Sequence, residues 1–128
     1  MSSKHIHVAV GIIKNAEGKI LIAKRAKHQH QGGLWEFPGG KVEEGESALE
    51  ALVREFKEEV NITIHSAAPF MMIKHDYGNK KVMLDIWISN HFSGEAYGNE
   101  NQLINWVLPE KLGHYQFPEA NREIVKAL

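Results

Sequence analysis

Apolar residues dominate His7 to Ile13 and again Lys19 to Lys24, and each run is short enough for a strand. The polar stretch Asn15-Ala16-Glu17-Gly18 between them predicts a turn, so the pair reads as a β-hairpin. Residues 26–33, AKHQHQGG, read as a polar loop and a candidate flap. The short apolar segment Leu34-Trp35-Glu36-Phe37 is stopped by Pro38-Gly39-Gly40. The period then changes to that of a helix over Ser47 to Val60. Ser47 and Glu50 have the spacing of a capping box, and Asn61 stands where a left-handed C-cap belongs. Pro69 to His75 and Val82 to His91 read as strands joined by a turn at Tyr77-Gly78-Asn79-Lys80. Ile104 to Leu108 reads as a further strand, and Pro118 to Ala127 as a C-terminal helix with Pro near its first turn. This order predicts an α/β layered fold with a mixed sheet, not a regular βαβ series.

Placing residues 48 to 60 at about 100° each separates two stripes. Leu49, Leu52, Val53, Phe56 and Val60 form the face expected to pack on the sheet. Ala48, Ala51, Glu55, Glu58 and Glu59 form the adjacent face, with the alanines expected to leave room for a ligand. Glutamates at helical spacings repel one another, and these lie toward the helix C-terminus, the unfavourable end of its dipole. A divalent cation between them would reverse the sign of that interaction.

Composition narrows the picture without choosing a function. The 128 residues fit one domain, 1–128, with a single core. No run of about 18 apolar residues predicts a membrane span, and the N-terminus lacks a signal-peptide layout. Cysteine is absent, which excludes disulfides and thiolate zinc sites and makes a cytoplasmic location the expectation. The formal charge of -1 gives no electrostatic case for nucleic acid binding. The eight histidines fit no zinc template.

Charge distribution is more informative than net charge. Seven glutamates, Glu43, Glu44, Glu46, Glu50, Glu55, Glu58 and Glu59, fall within 17 residues, out of 16 acidic residues in the chain. Gly39, Gly40 and Gly45 with Lys41 precede the helix and give a backbone able to meet a cation or a phosphate. The plain alternative is a solvated acidic face, with Arg54 and Lys57 as counter-ions. The loop lacks the GK[ST] ending of a P-loop.

The segment Gly40-x5-Glu46-x7-Arg54-Glu55-Phe56-x-Glu58-Glu59-x-Asn61-Ile62 resembles the signature of the Nudix hydrolase family, G-x5-E-x7-R-E-U-x-E-E-x-G-U, where U is a bulky aliphatic residue. Asn61 replaces the last glycine and Phe56 stands at a bulky apolar position; neither departure touches a charged residue. VAVGII, AKRA, WEFPGGKVEEGE, GEAYGNENQ and FPEAN resemble, in order, the MutT branch of the family. The resemblance implies an α/β/α sandwich around a mixed sheet. It also implies Mg²⁺- or Mn²⁺-dependent cleavage of a nucleoside triphosphate, here an oxidised guanine nucleotide such as 8-oxo-dGTP, to monophosphate and pyrophosphate. By the same resemblance, Glu55, Glu58, Glu59 and Glu100 would hold metal with a backbone carbonyl at Gly39 or Gly40.

Glu55 is the first choice for general base and Glu100 the second, with Arg54 orienting the carboxylates and Glu46 bracing the loop. Asn121 resembles the asparagine that reads the oxidised purine; its alternative is a polar group near a helix start. Phe37 would wall the base pocket or simply pack in the core. Arg25 and Lys41 are candidate phosphate contacts or surface charges, and His30 a flap contact or a solvated histidine. Asn79 and Lys80 replace the Asp-Arg of the MutT turn, so base contacts from Asn79 differ from that branch. Trp35, Trp87 and Trp106 read as core. The partner expected is a nucleotide met by a monomer, with no nucleic acid polymer and no membrane. The competing readings are a Nudix pyrophosphatase for CTP or another (d)NTP, and a non-catalytic nucleotide-binding module.

Overall fold

The computed structural model describes residues 4–25, 33–99 and 102–128. Strand β1 (Lys4–Ile13) organises the architecture because it is buried on both faces. Ala9 and Ile13 join one apolar cluster, while Val10 and Ile12 join another. That is the period-2 consequence of a strand lying between two layers. β1 runs parallel to β6 (Lys80–Ser93) and antiparallel to β4 (Gly39–Lys41), and β6 pairs with β5 (Thr63–Asp76), giving a mixed sheet of order β4-β1-β6-β5. A second, antiparallel sheet has the order β3-β2-β7, built from Trp35–Glu36, Ile20–Lys24 and Ile104–Val107.

The expected β1–β2 hairpin is thus replaced by a corner. The turn forms as read: Asn15 N donates to the Lys19 carbonyl at 2.9 Å, and the Asn15 side chain accepts from Glu17 N and Lys19 N. Beyond the isolated bridge Lys14–Ile20, β2 leaves for the second sheet. The reason is burial. Ile20, Leu21, Ile22 and Ala23 are all fully buried, so β2 is a central strand that takes β3 and β7 as neighbours. Residues 63–76 and 80–93 form a hairpin longer than the sequence pattern predicts, shifted in register at three places. Asn79 lies exposed at its tip, where Tyr77 N donates to the Lys80 carbonyl at 2.9 Å.

Helix α1 (Ala48–Val60) covers one side of the sheets. Leu52, Phe56 and Val60 are fully buried against Ala9, Ile13 and Leu21. Burying each such side chain contributes about 1.5–3 kcal/mol. The capping box is present, with Glu50 N donating to Ser47 Oγ at 3.1 Å and Ser47 N to Glu50 Oε1 at 2.9 Å. Asn61 closes the helix at φ 61°, its Nδ2 donating to the Glu95 carbonyl at 3.1 Å. Ala51 departs from expectation: it is fully buried in the core and leaves no ligand space. The Phe56 ring lies directly over Gly11, where a Cβ would come within 2.5 Å of it. On the opposite side, helix α2 (Glu119–Ala127), preceded by a 3₁₀ turn over Pro109–His114, packs Ala120, Ile124 and Leu112 onto Val10, Ile12, Ile20 and Ile22. The result is the expected α/β/α arrangement, with the β layer divided into two sheets. Among the described residues no helix is long and apolar enough to cross a membrane.

Candidate active site

Two glycines bring α1 against β4. A Cβ on Gly39 would overlap the Ala9 carbonyl oxygen, and a Cβ on Gly40 would sit on the Glu55 carboxylate. Both positions therefore require the missing side chain, Gly39 for strand pairing and Gly40 for the approach of Glu55. Glu59, one turn further along α1, accepts a hydrogen bond from the Gly39 backbone N–H. The WEFPGG segment thus places β4 under two helical carboxylates that are neighbours at i and i+4.

A third carboxylate, Glu36, belongs to this group, and sequence reasoning did not select it. β3 pairs with β2 so that Glu36 lies opposite Ala23, and Arg25 follows β2 directly. Arg25 Nη1 donates to Glu36 Oε1 at 2.6 Å. Burial raises the Glu36 carboxyl above its ordinary range against the pull of Arg25. Burial, then the Glu36 and Glu55 carboxylates, pushes Glu59 up to about 8, while Gly39 N–H and Arg25 pull it down. The available signal was the neighbouring pattern: a lone acidic residue between two aromatics that both pack inward.

The other glutamates of the segment lie in a different environment. Arg54 donates through Nε and Nη2 to Glu46 at 2.7 and 2.9 Å, through Nη1 to Glu55 at 2.8 Å, and through Nη2 to the Lys41 carbonyl at 3.1 Å. Such forked, charge-assisted bonds are the strong ones. Glu46 also accepts from Glu43 N at 2.9 Å, which closes the loop onto the helix. The bond from Arg54, with that from Glu43, holds the Glu46 carboxyl down at about 2. Arg54 is correspondingly raised, first by Glu46 and then by Glu55. Glu58 stands outward, 63 % exposed and 3.6 Å from Arg54.

The remaining candidates are distributed more widely. Lys41 is exposed at the end of β4. Phe37 is 3 % exposed and stacks on Phe117 at 5.2 Å, so it packs in the α2-side core. Asn121 is half-buried in the first turns of α2, and its side-chain amide has no hydrogen-bond partner among the described residues. Trp35 meets Tyr115 edge-on at 5.3 Å and Trp106 stacks on Phe92, while Trp87 packs on the α1 side with its buried indole nitrogen unpaired among the described residues. His30 and Glu100 lie outside the described residues.

Carboxylate and backbone oxygens suit a hard divalent cation. Glu36, Glu55 and Glu59 are three carboxylates served by Arg25 at Glu36 and Arg54 at Glu55, and burial first, then Glu36 and Glu55, raises the Glu59 carboxyl. The donors therefore fit such a cation chemically. Among the described residues, however, no three acidic or histidine side chains converge as a ready cage. Arg54 holds Glu58 outward.

A NUDIX domain family model matches residues 9–127, and the chain belongs to that family, whose members are hydrolases that generally need a divalent metal. The 8-oxo-dGTP diphosphatase of Escherichia coli K12 is 36% identical over 98% of this chain and 97% of its own. The CTP pyrophosphohydrolase of the same organism is 36% identical over 97% of this chain and 91% of its own. A solved MutT structure, from a study of the Aliivibrio salmonicida and Vibrio cholerae proteins, is 42% identical. It covers 97% of this chain and 96% of its own, with a TM-score of 0.87.

Proposed function

We propose that this chain hydrolyses oxidised guanine nucleoside triphosphates, 8-oxo-dGTP above all, to nucleoside monophosphate and pyrophosphate, and so cleans the nucleotide pool. The observation that carries the reading is the full-length similarity to an 8-oxo-dGTP diphosphatase, joined to a Glu55 carboxylate seated on Gly40 beside Glu59. Glu55 takes the proton of the water that attacks the β-phosphorus, with Glu100 as the second candidate for that role. Arg54 fixes the Glu55 carboxylate through the 2.8 Å bond, and Glu46 fixes Arg54. Glu55, Glu58, Glu59 and Glu100, with a carbonyl of Gly39 or Gly40, would hold Mg²⁺, with Mn²⁺ as a substitute. When bound, the metal neutralises phosphate charge and acidifies water.

Arg25 and Lys41 would contact phosphate oxygens, and His30 would close from the 26–33 loop. Asn121 reads the purine edge, since an amide supplies both a donor and an acceptor for O6 and a protonated N7. Phe37 supports that pocket, and Asn79 replaces the family's usual turn contact. We further read residues 1–128 as one domain that acts as a cytoplasmic monomer on free nucleotides, with neither nucleic acid nor membrane as partner.

The test is a panel of 8-oxo-dGTP, 8-oxo-GTP, CTP and unmodified dNTPs with Mg²⁺, scored by pyrophosphate release. Preferential release from 8-oxo-dGTP is expected. Preferential release from CTP supports the second reading, which the similarity to the CTP pyrophosphohydrolase favours. Nucleotide binding without release from any substrate makes the chain a binding module.

A further inference from the structure

We infer that Tyr115 is a positioning residue for base discrimination: it straps the start of α2 to the second sheet and so fixes where the Asn121 amide stands. The inference rests on the proposed reading that Asn121 reads the purine edge.

Strand pairing sets the anchor points. Lys24 is opposite Trp35 across β2 and β3, and Ile22 is opposite Asn105 across β2 and β7. Opposite residues of an antiparallel pair share a face, as do residues 22 and 24 of one strand. Ile22 packs in the α2-side cluster, so Trp35 and Asn105 both face α2 from the two outer strands of this sheet. Tyr115 bridges them. Its ring meets the Trp35 ring edge-on at 5.3 Å, and Asn105 Nδ2 donates to its hydroxyl oxygen at 2.8 Å. One side chain just ahead of α2 therefore holds both edges of a three-stranded sheet.

The next two residues continue the attachment. Trp35 N donates to the Gln116 carbonyl at 2.8 Å, and Phe117 stacks on Phe37. Helix α2 depends on such outside anchors, because its N-cap is Pro118 and no side chain bonds its first turn. The apolar Phe stack is non-directional, whereas the Tyr115 hydroxyl bond supplies direction. Asn121 N donates to the Pro118 carbonyl at 2.9 Å, and the half-buried Asn121 amide has no partner of its own among the described residues. Its place is thus inherited from residues 115–118. Hydrogen bonds weaken steeply with misalignment, so an amide that must serve two edge atoms of a base tolerates little displacement.

Two measurements on the full chain separate a strap from simple packing. Amide hydrogen exchange of residues 121–124 should speed up about tenfold in Tyr115→Ala, while the amides of α1 keep wild-type rates. Equal acceleration in α1, or none in α2, overturns the inference. Steady-state hydrolysis of 8-oxo-dGTP and dGTP with Mg²⁺ supplies the second readout. Tyr115→Ala is expected to raise KM for 8-oxo-dGTP about tenfold with kcat within about twofold, and to cut the preference over dGTP about tenfold. Tyr115→Phe keeps the ring and should lose only about threefold of that preference. In an Asn121→Ala background, Tyr115→Ala should change the preference less than about twofold. Equal losses in both backgrounds, or a preference that Tyr115→Ala leaves intact, overturn the inference. An Asn121→Ala variant that keeps the full preference, or a wild type that has none, instead overturns the reading of Asn121 and the inference with it.

Discussion

The glutamates around α1 are chemically identical, yet the structure divides them into two environments. On the outer side Glu46 and Glu58 surround Arg54, and the Glu46 carboxyl is held at about 2. On the inner side Glu36 and Glu59 are half-buried with Glu55, and Glu59 is pushed up to about 8. The first set already has its cation, supplied by the protein. In the second set burial, more than any neighbouring charge, governs Glu36 and Glu59. Residue type does not distinguish the two sets here; the partner and the depth of burial do. Glu55 joins the two, bonded to Arg54 on one side and set against Gly40 on the other.

The largest expected effect comes from breaking that junction. Glu55→Gln keeps the shape and removes the proposed base, so turnover should fall by roughly a thousandfold, within the range for a lost general base. Equilibrium nucleotide binding should stay within a few-fold of wild type. A variant that still turns over at more than about a tenth of the wild-type rate would exclude Glu55 as the base.

Arg54→Lys tests the outer set. Lysine keeps the charge and loses the fork that spans Glu46 and Glu55, and the swap should cost about 1–2 kcal/mol in denaturant unfolding with a lower kcat. Unchanged stability would mean that the network adds nothing to folding.

Titration gives the two sets opposite signs. Glu59 is raised from 4.5 to about 8, so its contribution is fully present below pH 4.5 and is lost as pH rises toward 8. Glu46 is lowered from 4.5 to about 2, so its contribution is present above pH 4.5 and is lost as pH falls toward 2. In chelator, melting temperature should therefore drop by roughly 5 °C between pH 5 and 8, and Glu59→Gln should flatten that slope. Excess Mg²⁺ should restore the wild-type value at pH 8. A flat wild-type profile in chelator would remove the electrostatic contrast between the two sets.

The smallest effect is expected at Asn61. Glycine there relieves the left-handed φ of 61° but loses the bond to Glu95, and the net change should stay within about 0.5 kcal/mol. A larger loss on unfolding would show that the side-chain bond, not backbone permissiveness, keeps Asn61 in place.

What was legible in the sequence was what is local. Ser47 and Glu50 cap the helix within three residues of each other, and Asn61 ends it by its own backbone preference. The apolar stripe predicted the buried side of α1 through Leu52, Phe56 and Val60. Long-range pairing was not legible. The turn at Asn15 looked like a hairpin because nothing near it reveals that β2 needs two neighbours from elsewhere in the chain. Glu36 is not legible as part of the site because its partner Arg25, just after β2, and its neighbour Glu59 on α1 lie 11 and 23 residues away in sequence. Ala51 looked like open space because the wheel gives direction and not depth.

Gly11 touches no ligand and carries no charge, yet the Phe56 ring rests on it without a methyl group between them. The height of α1 above the sheet is therefore set by a missing atom at one position. Phe56 adjoins Glu55 in sequence, so that height also sets how far the carboxylates stand from the Gly39-Gly40 backbone. Position 11 works as a spacer gauge. Side chains of graded size there offer a way to shift the α1 carboxylates relative to that backbone without altering any of them.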